Sequence, residues 1–241
     1  MSKRKHKSTR RAILVLESPW ALDKSDCYRA SVLPFVEGIA KLAEDTDVFH
    51  ANFYDKKSFS QALDSLCTVS FSNAIVYVAA HGDPKRVGGV PIENVLFEIG
   101  LAAAKNGITG LMLGTCFSGG NSVLTEVFIQ GTGIRWAAGY SSSANWLEGT
   151  MVDCAIMSKM LELDDFSDKQ TIVSFLSSAI APFSENYQIG LDINEEYYIR
   201  LRDSLEFVVQ PTGKGNKAKQ VTDDVFEACD SFRTDPEMEC V

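Results

Sequence analysis

No apolar run in the sequence approaches the roughly 18 residues needed to cross a bilayer, and the amino terminus lacks the apolar core of a secretory leader. A soluble, cytoplasmic protein is therefore expected. Cys-x-x-Cys pairs are also missing: the six cysteines, at positions 27, 67, 116, 154, 229 and 240, are scattered, and none has a histidine at ligand spacing. That excludes a zinc site and a disulfide framework as organising elements, so the thiols are expected to be reduced and neither metal nor cofactor is anticipated. Histidine is scarce, with three in the chain, which narrows any proton-transfer role to His6, His50 or His81. Internal repeats are absent as well.

What remains is a chain of 241 residues, 45% hydrophobic and 23% charged, enough to bury one large core. The net charge of −9 hides an asymmetry: Lys3, Arg4, Lys5, Lys7, Arg10 and Arg11 contribute +6, leaving −9 − 6 = −15 after residue 11. An acidic body argues against general nucleic-acid binding. The organisation expected is a basic, disordered arm over residues 1–11, one domain over 12–210, and a tail or docked flap over 211–241, Gly/Lys-rich and then acidic.

Short apolar runs alternate with amphipathic stretches. Strands are expected at 12–16, 46–53, 74–80, 108–114, 134–138 and 205–209. Between them, helices are expected at 30–42, around Phe59 to Leu66, at 94–105 with Gly107 as the stop, at 123–129, from a cap at Ser143 or Asn145 to about Leu163, and at 169–181. Strands separated by helices at this spacing imply a three-layer α/β/α sandwich around a mostly parallel, six-stranded sheet.

Two of these strands end in reactive side chains. Ala74 to Ala80 runs into His81-Gly82, and Ile108 to Gly114 runs through Thr115 into Cys116. A buried strand that stops at such a residue holds it rigidly at a sheet edge, open to substrate. A thiol becomes a strong nucleophile beside an imidazole or a helix amino terminus, and Phe117-Ser118-Gly119-Gly120 leads from Cys116 into the next helix. The amides of Cys116 and Gly82 are natural donors to a tetrahedral oxyanion, and His81 can pass a proton to a leaving amine. His6 lies in the basic arm and His50 inside a strand, so neither competes for the role.

The stretches Tyr77-Val78-Ala79-Ala80-His81-Gly82-Asp83 and Leu113-Gly114-Thr115-Cys116-Phe117-Ser118-Gly119-Gly120 resemble the caspase-like cysteine peptidases: caspases, metacaspases, paracaspases and the bacterial CHAT-type proteases. Gly139-Tyr140-Ser141 resembles the segment that borders the substrate cleft in caspases. The likeness spans residues 12 to 209. It implies a caspase-like fold and a cysteine endopeptidase in which His81 and Cys116 form the dyad, Gly82 assists the oxyanion, and a thioester with the peptide carbonyl is the intermediate. It also implies a peptide or protein substrate, a regulatory protein partner and a role in regulated proteolysis, in a stress, cell-death or immune response. Neither a membrane nor a specific nucleic acid is expected as partner, and the oligomeric state stays open.

The departures concern specificity. Gly114 stands where caspases have glutamine and metacaspase-like enzymes aspartate, and no arginine occurs from Ser141 to Trp146. The separation 116 − 81 = 35 is shorter than the ~50 of caspases. Cleavage after aspartate is not expected. A basic substrate residue would need a carboxylate, for which Glu17, in the loop region that borders the pocket in the family, and Asp83, beside the dyad, are the candidates; Glu17 serves equally as a turn cap before Pro19. Gly114, Tyr140 and Ser141 complete the expected substrate site. Trp20, Tyr140 and Trp146 are pocket walls or core. Asp153 and the Asp164-Asp165 pair lack calcium-ligand spacing and are expected on solvated surface. Only 17 residues separate Cys116 from Ile134, too few for a helix plus an excisable linker, so any activity is expected from the uncut chain. Two other functions fit the same residues: a non-catalytic interaction module on this fold, or a cysteine hydrolase or acyltransferase acting on small substrates.

Overall fold

A strand that is apolar on both faces must be covered on both, and β1 (Arg11–Glu17) is such a strand, with Ala12 to Leu16 fully buried. The computed structural model, which describes residues 11–19, 31–43 and 45–234, takes the chain from β1 through α1 (Leu33–Leu42), β2 (Thr46–Asn52) and α2 (Lys56–Leu66) to β3 (Asn73–Ala79). Three two-residue strands come next, β4 (Gly82–Asp83), β5 (Arg86–Val87) and β6 (Val90–Pro91), then α3 (Ile92–Asn106), β7 (Ile108–Gly114), α4 (Ser122–Ile129) and β8 (Trp136–Tyr140). The rest comprises α5 (Trp146–Glu162), α6 (Lys169–Ile180), β9 (Gln188–Leu191), β10 (Tyr198–Arg200), α7 (Leu201–Ser204), β11 (Leu205–Val209), β12 (Lys219–Gln220) and α8 (Thr222–Thr234).

The main sheet runs β2-β1-β3-β7-β8-β11-β12. Its first five strands are mutually parallel, while β11 lies antiparallel to both β8 and β12. It therefore has seven strands where six were expected. The additional one, Lys219-Gln220, is two exposed polar residues with no apolar alternation to announce it. The arm over residues 1–10, Trp20 and the beginning of the helix expected from Ala30 lie outside the described residues; α1 starts at Leu33 with proline at its first turn, where a missing N–H costs nothing.

Alternation along the strands divides the interior into two layers. Ile13, Val15, Ile75, Tyr77, Met112 and Trp136 face α1, α5, α6 and α8, whereas Leu14, Leu16, Val76, Val78, Leu111 and Leu113 face α2, α3 and α4. Each fully buried aliphatic side chain contributes about 1.5–3 kcal/mol. Beyond Pro211 the chain adds β12 to the sheet edge and lays α8 on α6, where Val225, Phe226 and Cys229 are buried and Ser177 Oγ donates to the Val225 carbonyl at 2.9 Å. Among the described residues no helix is long and apolar enough to cross a membrane.

Helix α4 matters because it comes after Cys116. It has only 8 residues, and its one side-chain cap is Asn121, whose Oδ1 accepts from the Leu124 amide at 2.9 Å. Asn121→Ala is expected to lower stability by about 1 kcal/mol, read as a shift in the urea midpoint at unchanged slope.

Candidate active site

Parallel pairing places Ala79, the last residue of β3, opposite Gly114, the last of β7. Each strand then runs two residues further, to His81 and Cys116 respectively, so both leave the sheet at the carboxyl ends of neighbouring strands, whose backbones lie ~4.8 Å apart. The backbones stay in contact beyond the sheet: a Cβ on Gly82 would overlap the Cys116 carbonyl oxygen and lie 3.1 Å from its amide nitrogen. Only glycine fits there. The Gly88 amide donates to the His81 carbonyl at 2.8 Å, which makes Gly82 and Val87 the non-hydrogen-bonded pair of the β4–β5 ladder. In such a pair the amide points away from the partner strand, so the Gly82 N–H is left to face other groups.

Cys116 is half-buried. Its Sγ accepts from the Ala144 amide at 3.4 Å. The turn that carries it is tied to the segment after β8, because the Phe117 amide donates to the Ser142 carbonyl at 2.9 Å and the Gly119 amide to the Tyr140 carbonyl at 2.8 Å. Phe117 has φ +60°, a left-handed conformation for which a non-glycine residue carries roughly 1–3 kcal/mol of strain. The expected helix amino terminus at the sulfur is not there: α4 begins at Ser122, 122 − 116 = 6 residues on, and the intervening residues form this turn.

One small cavity opens beside the sulfur, between Gly114, Cys116, Tyr140, Ala144 and Trp146, with Asp153 of α5 as its floor. Asp153 was expected at the surface and is instead 2% exposed. Its two oxygens each accept from a tyrosine, Oδ2 from Tyr77 Oη and Oδ1 from Tyr140 Oη, both at 2.7 Å. Burial pushes the carboxyl up to about 7, against the two phenols, whose hydrogen bonds favour the ionised form. Both phenols are held well above their ordinary range by their own burial and by facing Asp153. Gly114 makes the arrangement fit, since a Cβ there would come within 2.5 Å of Asp153 Oδ2 and of the Tyr77 ring. The glycine two residues before Cys116 thus makes room for a carboxyl delivered from a helix.

The other expected substrate residues are placed differently. Glu17 ends β1 at the same sheet edge, opposite Ala79, but its carboxylate is taken up internally: Oε2 meets Ser31 Oγ at 2.8 Å and His50 Nε2 at 3.0 Å, and Oε1 accepts from the Val32 amide at 2.9 Å. Glu17 does not line the cavity, whereas Val32, which it anchors, does. Asp83 closes the β4–β5 turn by accepting from the amides of Lys85 and Arg86 at 2.7 and 2.9 Å. Tyr140 is buried beneath the cavity, and Ser141 lines a separate, larger groove together with Phe117 and Ser118. Asp164 is exposed and pairs with Arg11 at 2.9 Å.

Asp153 is the residue that sequence reasoning missed. Its signal was periodicity: Gly149, Asp153, Ile156, Met157 and Met160 share the buried face of α5, and a carboxylate on an apolar stripe needs buried partners. Three other cysteines are described. Burial, with Asp64 adding to it, pushes the Cys67 thiol up to about 11; burial, then Asp153, pushes Cys154 up to about 12; and Cys229 Sγ, fully buried, donates to the Ser177 carbonyl at 3.3 Å.

No protein-family model matches the sequence, and no curated protein matches it significantly. Solved structures do. A secreted C11 cysteine protease from Bacteroides thetaiotaomicron, solved in complex with an irreversible peptide inhibitor, superposes with a TM-score of 0.53 at 10% identity, covering 83% of this chain and 66% of that one. The chain has the caspase-like fold. It spans just under two thirds of that protease's length, and at 10% identity the likeness is one of fold. Within the caspase-like frame, the paired ends of β3 and β7 carry His81 and Cys116, and the segment after β8 forms the opposite wall.

Proposed function

We propose that the protein is a cysteine endopeptidase with His81 and Cys116 as its catalytic pair. The observation that carries this reading is the adjacency of β3 and β7, whose ends lead to an imidazole and a thiol two residues on, with the backbones of Gly82 and Cys116 in contact. In the first half-reaction the Cys116 sulfur, as thiolate, adds to the scissile carbonyl carbon, and the amides of Gly82 and Cys116 hold the oxyanion. The tetrahedral centre collapses to a thioester as the C–N bond breaks, and the His81 imidazolium gives its proton to the departing amine. Neutral His81 then takes a proton from water, whose oxygen attacks the thioester and releases the acid and the thiolate. No cofactor enters either step. The Asp153 cavity, with room for no more than a water-sized group, lies on the acyl side of the bond, with the Asp153 carboxyl as its polar floor. A role in regulated proteolysis and a regulatory protein partner rest on family likeness alone.

The test is covalent labelling with peptidyl electrophiles carrying basic, acidic or apolar end residues, with peptide mapping of the product. An adduct confined to Cys116 is expected. Labelling at Cys67 instead, or turnover of small acyl donors without any reaction at peptides, would replace the proposal by the small-substrate hydrolase. A folded protein inert to every probe would leave a non-catalytic interaction module.

A further inference from the structure

A groove of about 480 Å³, within the range of ligand pockets, is lined by Phe117 and Ser118, the two residues that follow Cys116, and shares no lining residue with the Asp153 cavity. Pro84 and Ile92 from the connection after His81, Phe117 and Leu124 from the connection after Cys116, and Ile193 and Ile199 from the β9–β10 hairpin make its apolar surface. Ile193 is 63% exposed, so a large apolar side chain stands uncovered at its rim. Asp192 and Asp203 are the charged residues of the lining, and no basic side chain joins them.

The two acids differ in availability. Arg200 grips both oxygens of Asp203, Nε on Oδ2 at 2.6 Å and Nη2 on Oδ1 at 3.1 Å, which compensates its charge. Asp192 meets backbone only: the amides of Glu196 and Tyr197 donate to Oδ1, at 2.7 and 2.9 Å. Those backbone bonds hold its carboxyl below the ordinary range, so it stays ionised. The hairpin itself is fixed to the body, since the Ser143 and Asn145 amides donate to the Leu191 and Ile189 carbonyls at 3.0 and 2.8 Å.

Proton transfer decides which half of a peptide this groove meets. A general acid must reach the departing nitrogen, so the chain beyond that nitrogen leaves on the side of the imidazole. Residues from the His81 connection line this groove and are absent from the lining of the Asp153 cavity. We propose that the groove is the subsite for the leaving-group side of the substrate, selecting an apolar residue directly after the scissile bond and a basic one next to it. The apolar side chain lies among Ile92, Phe117, Leu124 and Ile199, and the cation meets Asp192. This rests on the cysteine-peptidase reading and adds to it a direction of the bound chain and a sequence preference.

Digestion of a randomised peptide library, with the new amino termini sequenced by mass spectrometry, reads this side of the bond independently of the acyl side. Leu, Ile, Val or Phe is expected about tenfold enriched at the first new position. Lys or Arg is expected about fivefold over Asp or Glu at the second. Asp192→Asn should level the second preference and leave the first, and Ile193→Ser should do less to either than Leu124→Ser does to the first. Flat profiles after the cut, alongside a selective profile before it, would overturn the subsite while leaving the peptidase intact. An Asp192→Asn profile that keeps the basic preference would remove Asp192 from it. No cleavage at all, together with no electrophile adduct on Cys116, would take down the peptidase reading and this inference together.

Discussion

Cys116→Ala is expected to lower peptide turnover by about 10⁶-fold, and His81→Ala by about 10² to 10⁴, with the melting temperature of both variants near that of the parent. The difference in magnitude reflects what each group does. Without the sulfur no acyl-enzyme forms, and none of the other described thiols can substitute: Cys67 and Cys154 are pushed up to about 11 and 12, and Cys229 is sealed inside against Ser177. Without the imidazole, the sulfur and the backbone donors at Gly82 and Cys116 are still in place, so addition slows and does not stop. Steady-state kcat/KM on a peptide cleaved by the parent, with thermal melts alongside, checks both. Unchanged turnover in His81→Ala would remove that residue from the mechanism. Equal losses in the two variants would mean that they act as one unit.

The second large effect concerns stability. Asp153 keeps its proton up to about pH 7 in the folded protein, whereas an unfolded aspartate ionises near 3.9. Below pH 4 both states hold the proton and the group is neutral to folding. As pH rises from about 4 to 7, only the unfolded state releases it, so the native state loses roughly 1.4 kcal/mol per pH unit from this site, and the loss levels off above 7. Asp153→Asn carries no such titration, and its amide can still accept from one tyrosine and donate to the other. Between pH 5 and pH 8 the stability of the variant relative to the parent is therefore expected to rise by on the order of 3 kcal/mol. Urea titrations at several pH values measure it. A difference that does not change with pH would mean that the carboxyl is already ionised in the fold, with the tyrosine hydroxyls outweighing burial.

Much of the frame was legible because the core strands of this protein are apolar on both faces. The runs ending at Leu16, Ala80 and Gly114 read as buried strands, and the two that end near His81 and Cys116 became neighbours in the sheet. The pieces that escaped notice carry little apolar pattern. Residues 82–91 form three two-residue strands around tight turns, and the β9–β10 hairpin is short, exposed and acidic at its tip, so neither has a period long enough to read. Asp153 escaped for the opposite reason: an acid is ordinarily a surface residue, and its partners, Tyr77 and Tyr140, come from strands 76 and 13 residues away. Glu17 was visible as a carboxylate at the right edge, but that His50 and Ser31 would fill it depended on β2 lying beside β1.

The amides of Phe117 and Gly119 bind the end of β8 and the chain after it, Ser118 Oγ donates back to the Thr115 carbonyl at 3.0 Å, and α4 occupies about half of the connection from there to β8. A nick introduced anywhere between Asn121 and Ile134 would leave the nucleophile's turn fastened by these bonds. Limited digestion there should yield two fragments that stay associated under native conditions, with the thiol no more accessible than before. The uncut chain is therefore expected to be as active as the nicked one, and equal peptide turnover before and after such digestion is the result that would bear this out.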